Sequence, residues 1–522
     1  MAAAVNRRQL LRIGGGVVVL GAAAGMGLLT TRGSQAANQL AALVPSEVPL
    51  PPRFATPLPR PVQRTGNDIA FVQRYADQEI LPGRRTRVTG YDGVFPGPTI
   101  RARRGSQTRV TVRNDLDIGT VMHLHGGRMA PEHDGYPTDL LLPHSGQVRA
   151  PLMPGNTMVG QRSYLYPMDQ RAATLWYHDH TMDFTGPNVY AGLAGFCIIS
   201  DAEEDALGLP GGERDIELML ADRSFGADAE FKYPALDPTQ TAPGVEPLYL
   251  AGVLGDVMLV NGAPWPVHEV SRTLHRLRWL NGSNARNYRL ELEPGGEFIQ
   301  IGSDGGLLEK PVRTPAFTIS PGERLDTVVD FSQYPVGTVV TVRNVLGGGP
   351  MDAVMQFRVV RDEADDARVP ETLSHIEWLR REDAVRTRDF FFALQFGGGH
   401  AHGGAGRARG DSFIPHRWTI NGRSFDTETD WATPQYGDTE IWRFSSVAAH
   451  PVHLHLVHMQ VLSRTSGALR ISDAGWKDTV DLGPMESCEV IARFDGFRGR
   501  YVMHCHNLEH EDMAMMANFS VV

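Results

Sequence analysis

The chain is 522 residues long, enough for about three domains with separate cores. Its formal charge of −10 comes without a basic stripe or an acidic block, which excludes nucleic acid as an expected partner and a disordered acidic tail as a feature. Three cysteines are too few for a disulfide framework, while 56 glycines and 35 prolines break the chain into short apolar runs.

In chain order, NRRQLL (6–11) is followed by IGGGVVVLGAAAGMGLLT (13–30) and SQAA (34–37). A paired arginine, a weakly apolar glycine-rich stretch and small residues at a cleavage point form the pattern of a twin-arginine export signal, expected over residues 1–36. A membrane anchor competes with that reading. Six glycines in eighteen residues, and fewer than the ~20 apolar residues a span requires, argue against stable membrane insertion. The expectation is therefore a periplasmic or extracellular protein whose partner in transit is the twin-arginine machinery. Residues 37–65, rich in Pro and Arg, read as an extended arm.

Beyond the arm the pattern is mainly β. RVTVRND (109–115), RLRWLNGS (276–283) and EVIARF (489–494) place β-formers between breakers, and few stretches hold a 3.6-residue period. A weak threefold repeat runs from residues 90, 259 and 419, each copy opening on a turn with Gly and carrying a second strand further on. In copies one and three that strand carries HLH, and in copy two the place is Arg289-Leu290-Glu291. The expected domains are 66–205, 206–365 and 366–522, with HxH pairs, and so copper ligands, only in the outer two. FGGGHAHGGAGRARG (396–410) reads as a loop whose His400 and His402 are solvated.

In a strand, residues i and i+2 share a face, so HxH presents two imidazoles side by side. Four such pairs occur: His123/His125, His178/His180, His453/His455 and His504/His506. Eight buried imidazoles without a metal would require many compensating hydrogen bonds. Between the last pair stands Cys505, which must point to the opposite face. His510, Met515 and His450 can join it, and a thiolate, two imidazoles and a thioether form the ligand set of a blue-copper electron-transfer site. Zinc gains little from an axial Met. One strand would then touch two copper sites, with Cys505 as the link between them. Cys197 and Cys488 sit in apolar runs and read as small buried residues, a bond between them being left open.

HLHGG (123–127), WYHDH (176–180), HPVHLH (450–455) and HCHNLEHEDMAMM (504–516) resemble the four copper motifs of multicopper oxidases, over residues 66–522. NVYAGLAGFCIISD (188–201) and GWKDTV (475–480) look closest to the bacterial laccase, bilirubin oxidase and spore-coat laccase branch. The resemblance implies an all-β protein of three cupredoxin-like Greek-key β-sandwich domains holding four copper ions. Type 1 copper would take His450, Cys505, His510 and axial Met515. Type 2 copper would take His123 and His453, and the type 3 pair His125, His178, His180, His455, His504 and His506. The implied reaction is one-electron oxidation of a small reducing substrate coupled to reduction of O2 to water, by a chain expected to be monomeric. Asp134 and Glu511 are the candidate proton-handling acids, the alternative being that they orient ligand imidazoles. His458 stands outside the ligand set and reads as structural.

Phenols, aminophenols and bilirubin-like pigments are the expected reductants. A metallo-oxidase of Cu(I) or Mn(II) is the alternative, disfavoured because the 18 methionines form no insert beyond Met513, Met515 and Met516. A copper-carrying structural protein is disfavoured by the complete ligand set, and a copper nitrite reductase lacks the eight-histidine constellation.

Overall fold

The computed structural model describes residues 40–148, 155–396 and 416–522; the signal segment and the His400/His402 loop lie outside these residues. Strand patterning follows period two. In Thr108–Asn114, Val110 and Val112 turn inward while Arg109 and Arg113 face solvent.

Among the described residues, six sheets of four to seven strands pair into three sandwiches. In the first, Ile69 and Phe71 from one sheet meet Ile100, Leu124 and Leu175 from the other. In the third, Phe390 and Phe444 meet Val452, Tyr501 and Phe519. The repeat seen in the sequence has a structural counterpart. In each unit the strand that opens a sheet pairs in parallel with a later one: Asp68–Gln78 with Thr108–Asn114, Asp215–Arg223 with Leu274–Asn281, and Arg386–Phe396 with Thr439–Ser446. A parallel pair cannot be closed by a hairpin, so each unit requires a long crossover.

The first and middle sandwiches share one apolar core, in which Trp176, Phe196 and Ile198 pack with Leu218, Leu259 and Leu277. The arm is largely without regular structure but is anchored along its length, Pro57 bridging to Val267 and two short strands pairing with sheets. Ala42–Leu43 pairs with Val253–Leu254 of the middle sandwich, and Gln63–Thr65 joins a sheet of the first beside Gly97–Arg103. Cys197, Cys488 and Cys505 are all free and buried, so the bond left open between the first two is absent. No helix among the described residues is long and apolar enough to cross a membrane.

Candidate metal centres

Two strand pairs carry the histidines. Met122–His125 runs antiparallel to Ala173–Asp179 with His123 opposite His178. His450–Leu454 runs antiparallel to Gly499–Cys505 with His453 opposite His504 and Val452 opposite Cys505. His180, His455 and His506 follow one residue past their strands. The first and third sandwiches press these pairs together, so all eight imidazoles meet at 1% exposure or less. His125 stacks on His453 at 3.6 Å between ring centroids, and His123 on His455 at 3.9 Å.

The hydrogen bonding of these rings shows what they are arranged to hold. Nδ1 of His123, His178, His453 and His504 each donates to a backbone carbonyl, at 2.5, 2.8, 2.9 and 3.1 Å. His455 Nδ1 meets Asp134 Oδ2 at 2.7 Å, and His125 Nε2 meets Asp478 Oδ1 at 3.0 Å. With one nitrogen committed as a donor, the other presents a lone pair. His123 Nε2, His125 Nδ1, His178 Nε2 and His453 Nε2 are buried with no hydrogen-bond partner. The Nε2 atoms of His180, His455 and His504 crowd together, with His455 at 3.3 and 3.2 Å from the other two. Clustered acceptors with no donor among them repel unless cations lie between them, and anchoring the far nitrogen is how proteins aim a ligating imidazole. Burial pushes the pKa of His180 down to about 4 and of His506 to about 3, and of the others with a resolved shift well below the usual value, so these rings are in the neutral, ligating form.

On the opposite face of the Cys505 strand lies the second group. His450 Nδ1 is 3.3 Å from Cys505 Sγ, His510 Nδ1 is 3.5 Å from it, and the two Nδ1 atoms are 3.0 Å apart. Met515 is fully buried; its N–H donates to the His510 carbonyl and its carbonyl accepts from the Cys505 N–H, both at 3.1 Å. Burial pushes the Cys505 thiol pKa up, so a metal binding there must displace its proton. Two imidazoles and a thiol fit copper, and nitrogen-rich donors favour it further. His458 stays out of both groups: its Nε2 lies 3.0 Å from the Gly126 carbonyl.

Three carboxylates brace the eight-histidine cluster. Asp134 ends a single helical turn at Gly135, whose φ of +83° and lack of a Cβ let the chain pass Met122 O. Its side chain faces His455, with Oδ1 3.7 Å from His123 Nδ1. Glu511, on the helical segment Leu508–Asp512, sets Oε1 3.2 Å from His180 Nδ1 and Oε2 3.0 Å from His504 Nδ1. The third, Asp478, is a residue the sequence reading passed over, although it lies in GWKDTV. It touches His125 and stands 3.7 Å from His453 Nδ1. Burial pushes the Asp134 carboxyl above the usual carboxylate range. Asp478 is buried too, yet the Arg324 guanidinium holds it below that range, and the His504 and His180 imidazoles do the same for Glu511.

Arg324 comes from the middle sandwich, which supplies no histidine. It is fully buried, donates both terminal nitrogens to Asp478 and gives Nε to the Thr174 carbonyl at 3.0 Å, so one side chain ties all three sandwiches at the cluster. Gly322, two residues earlier, has φ +83°, and a Cβ there would lie 2.9 Å from His506 Cδ2. Removing Arg324 strands the Asp478 charge beside two cluster imidazoles. Arg324→Met is therefore expected to weaken copper retention at the cluster about 10- to 100-fold, as loss of an outer partner does. A chelator titration followed by copper content measures this; retention equal to the parent's contradicts it.

A two-imidazole, one-thiol copper site one strand away from an eight-imidazole cluster, set in cupredoxin-type sandwiches, defines a copper oxidoreductase. Two multicopper oxidase family profiles match the chain, over residues 73–204 and 405–522. The chain is 36% identical over 481 residues to a laccase of Bacillus subtilis (strain 168), covering 83% of this chain and 89% of that one. It is 34% identical over 462 residues to a bilirubin oxidase of Albifimbria verrucaria, covering 83% and 72%. It superposes on the McoA multicopper oxidase of the hyperthermophile Aquifex aeolicus with a TM-score of 0.75 at 30% identity, over 89% of this chain and 99% of that one. The chain belongs to the multicopper oxidase family, on its laccase branch, whose members use four copper ions and O2 as acceptor.

Proposed function

We propose that the protein is an exported oxidase of phenolic, aminophenolic or bilirubin-like reductants. In this reading His450, Cys505, His510 and Met515 hold type 1 copper, His123 and His453 hold type 2, and His125, His178, His180, His455, His504 and His506 hold the type 3 pair. Bound copper supplies one-electron acceptance beside Cys505 and four-electron reduction of O2 to water at the cluster. The chain's own residues do the rest. Cys505 carries the electron through its backbone to His504 and His506, and Asp134 and Glu511, in contact with cluster imidazoles, deliver protons.

The observation that carries the substrate class is the cleft above the Cys505 site. It reaches His510 and is lined by Trp418, Ala251, Ala448, Ala449 and the amides of Asn287 and Asn507. Trp418 lies over the His510 ring at 3.8 Å between centroids. Such a lining presents apolar surface beside His510 against which the edge of a flat aromatic can rest. Among the described residues no carboxylate or thioether lines the cleft, where a Cu(I) or Mn(II) substrate would require one. Steady-state O2 uptake with a phenol, with bilirubin and with Cu(I) tests the proposal: turnover confined to Cu(I) would overturn it. Export rests on the Arg7-Arg8 pattern ahead of the glycine-rich stretch.

Met515→Leu is expected to keep copper and blue colour while shifting the type 1 potential, because a weakly binding thioether would be lost while the two imidazoles and the thiolate remain. Redox titration of the visible band reads the shift. A core methionine with no ligand role would cost stability and leave the potential where it was.

A further inference from the structure

The first described residues of the chain run along the same cleft. Leu40 lines it together with Ala251, Asn507 and His510. What holds Leu40 there is the arm behind it. The Ala42 N–H donates to the Gly252 carbonyl at 3.0 Å, the Val44 N–H to the Leu254 carbonyl at 2.8 Å, and the Glu47 N–H to the Phe225 carbonyl at 2.8 Å. The Ser46 N–H donates to Asp256 Oδ2 at 2.8 Å, and Glu47 pairs with Lys232 at 2.8 Å. Ala41 lies against Gly252, where a Cβ would stand 3.2 Å from the Ala41 Cβ and 3.0 Å from Asn507 Nδ2. The arm thus meets the segment that carries His510.

Anchoring accounts for residues 42–47 but not for the leucine ahead of them. Leu40 is 53% exposed, Leu43 is 50% exposed, and Leu248, on the turn against which the Ala42–Leu43 strand lies, is 69% exposed. Of the three, Leu40 is the one that lines the cleft, where a half-exposed leucine keeps apolar surface uncovered beside His510.

We propose that Leu40 is a specificity-determining wall of the reductant site. An uncharged aromatic reductant covers the Leu40 side chain while its oxidised edge approaches His510. The chemistry of the site is unchanged: each reductant gives one electron toward Cys505, and a phenol releases its proton to water. The inference rests on the substrate class proposed above.

The test uses the full copper-loaded chain with 2,6-dimethoxyphenol as the apolar donor and hexacyanoferrate(II) as a hydrophilic one. Leu40→Ala and Leu40→Gln remove apolar surface at a half-exposed position. Ala42→Pro deletes the N–H that seats the arm. In each variant the ratio of kcat/KM for the phenol to that for hexacyanoferrate is expected to fall about 3- to 10-fold, less than a fully enclosed contact would give. The loss appears in the phenol KM, with copper content and the visible band as in the parent. Ratios equal to the parent's in all three variants overturn the inference, as does an equal loss with both donors. A parent that oxidises no phenol refutes the substrate class itself, and the inference falls with it.

Discussion

Cys505→Ser is expected to yield a colourless protein with no measurable steady-state oxidation of any reductant, still holding roughly three coppers per chain. The thiol sits within 3.5 Å of both His450 Nδ1 and His510 Nδ1 and accepts from the Asn507 N–H at 3.4 Å. A serine hydroxyl fits that space but is a harder and far less acidic ligand, so the bond behind the blue colour is lost. His504 and His506 project from the other face of the chain and keep their own neighbours, the first at Glu511 and the second beside His125. The cluster should therefore survive its neighbour's loss. A chemically reduced sample should consume O2 once, without turning over. Were Cys505 only a small buried residue, serine would cost ~1–3 kcal/mol for an unsatisfied hydroxyl and leave colour and turnover intact. A blue, active variant would remove Cys505 from the electron path.

The second large effect is expected from the two acids. Asp134→Asn and Glu511→Gln should each lower O2 uptake about 10²- to 10⁴-fold, the span that a positioned proton donor or acceptor contributes. Anaerobic reduction of the type 1 site by a phenol should proceed as in the parent, because the reductant meets His510 and not the cluster. The two variants should differ in one respect. An amide at position 134 keeps an oxygen for His455 Nδ1, 2.7 Å away, so the cluster stays braced. At 511 the two oxygens face two ligand rings, 3.2 Å from His180 Nδ1 and 3.0 Å from His504 Nδ1, and glutamine would remove the charge between them and turn an NH2 toward one ring nitrogen. Glu511→Gln should thus also loosen copper retention, which Asp134→Asn should not. Normal O2 uptake in both variants would leave these acids as braces alone.

Much of this site is legible in the sequence because it is written in a strand's period. HxH puts two rings on one face, and a cysteine between two histidines is thereby sent to the other; the positions of His504, Cys505 and His506 obey that rule although His506 lies past the strand end. What the sequence leaves hidden is contact between distant segments with no period to announce it. Arg324 and Asp478 stand 154 residues apart, in sandwiches of which one has no histidine ligand motif. A repeat that has lost its histidines reads as inert, yet Gly322 and Arg324 bring the middle sandwich's backbone and charge to the cluster. The arm escapes for a related reason. Its register against Val253–Leu254 is set by backbone groups, which every residue but proline carries alike.

The central claim is the placement of four coppers on named residues. Anomalous diffraction at the copper edge, from crystals of the copper-loaded protein, tests it most directly. The account predicts one copper peak bounded by His450 Nδ1, Cys505 Sγ and His510 Nδ1, and three more enclosed by His123, His125, His178, His180, His453, His455, His504 and His506. A cluster empty of copper, or a Cys505 site holding zinc or no metal in a protein that still oxidises its reductant, would contradict it.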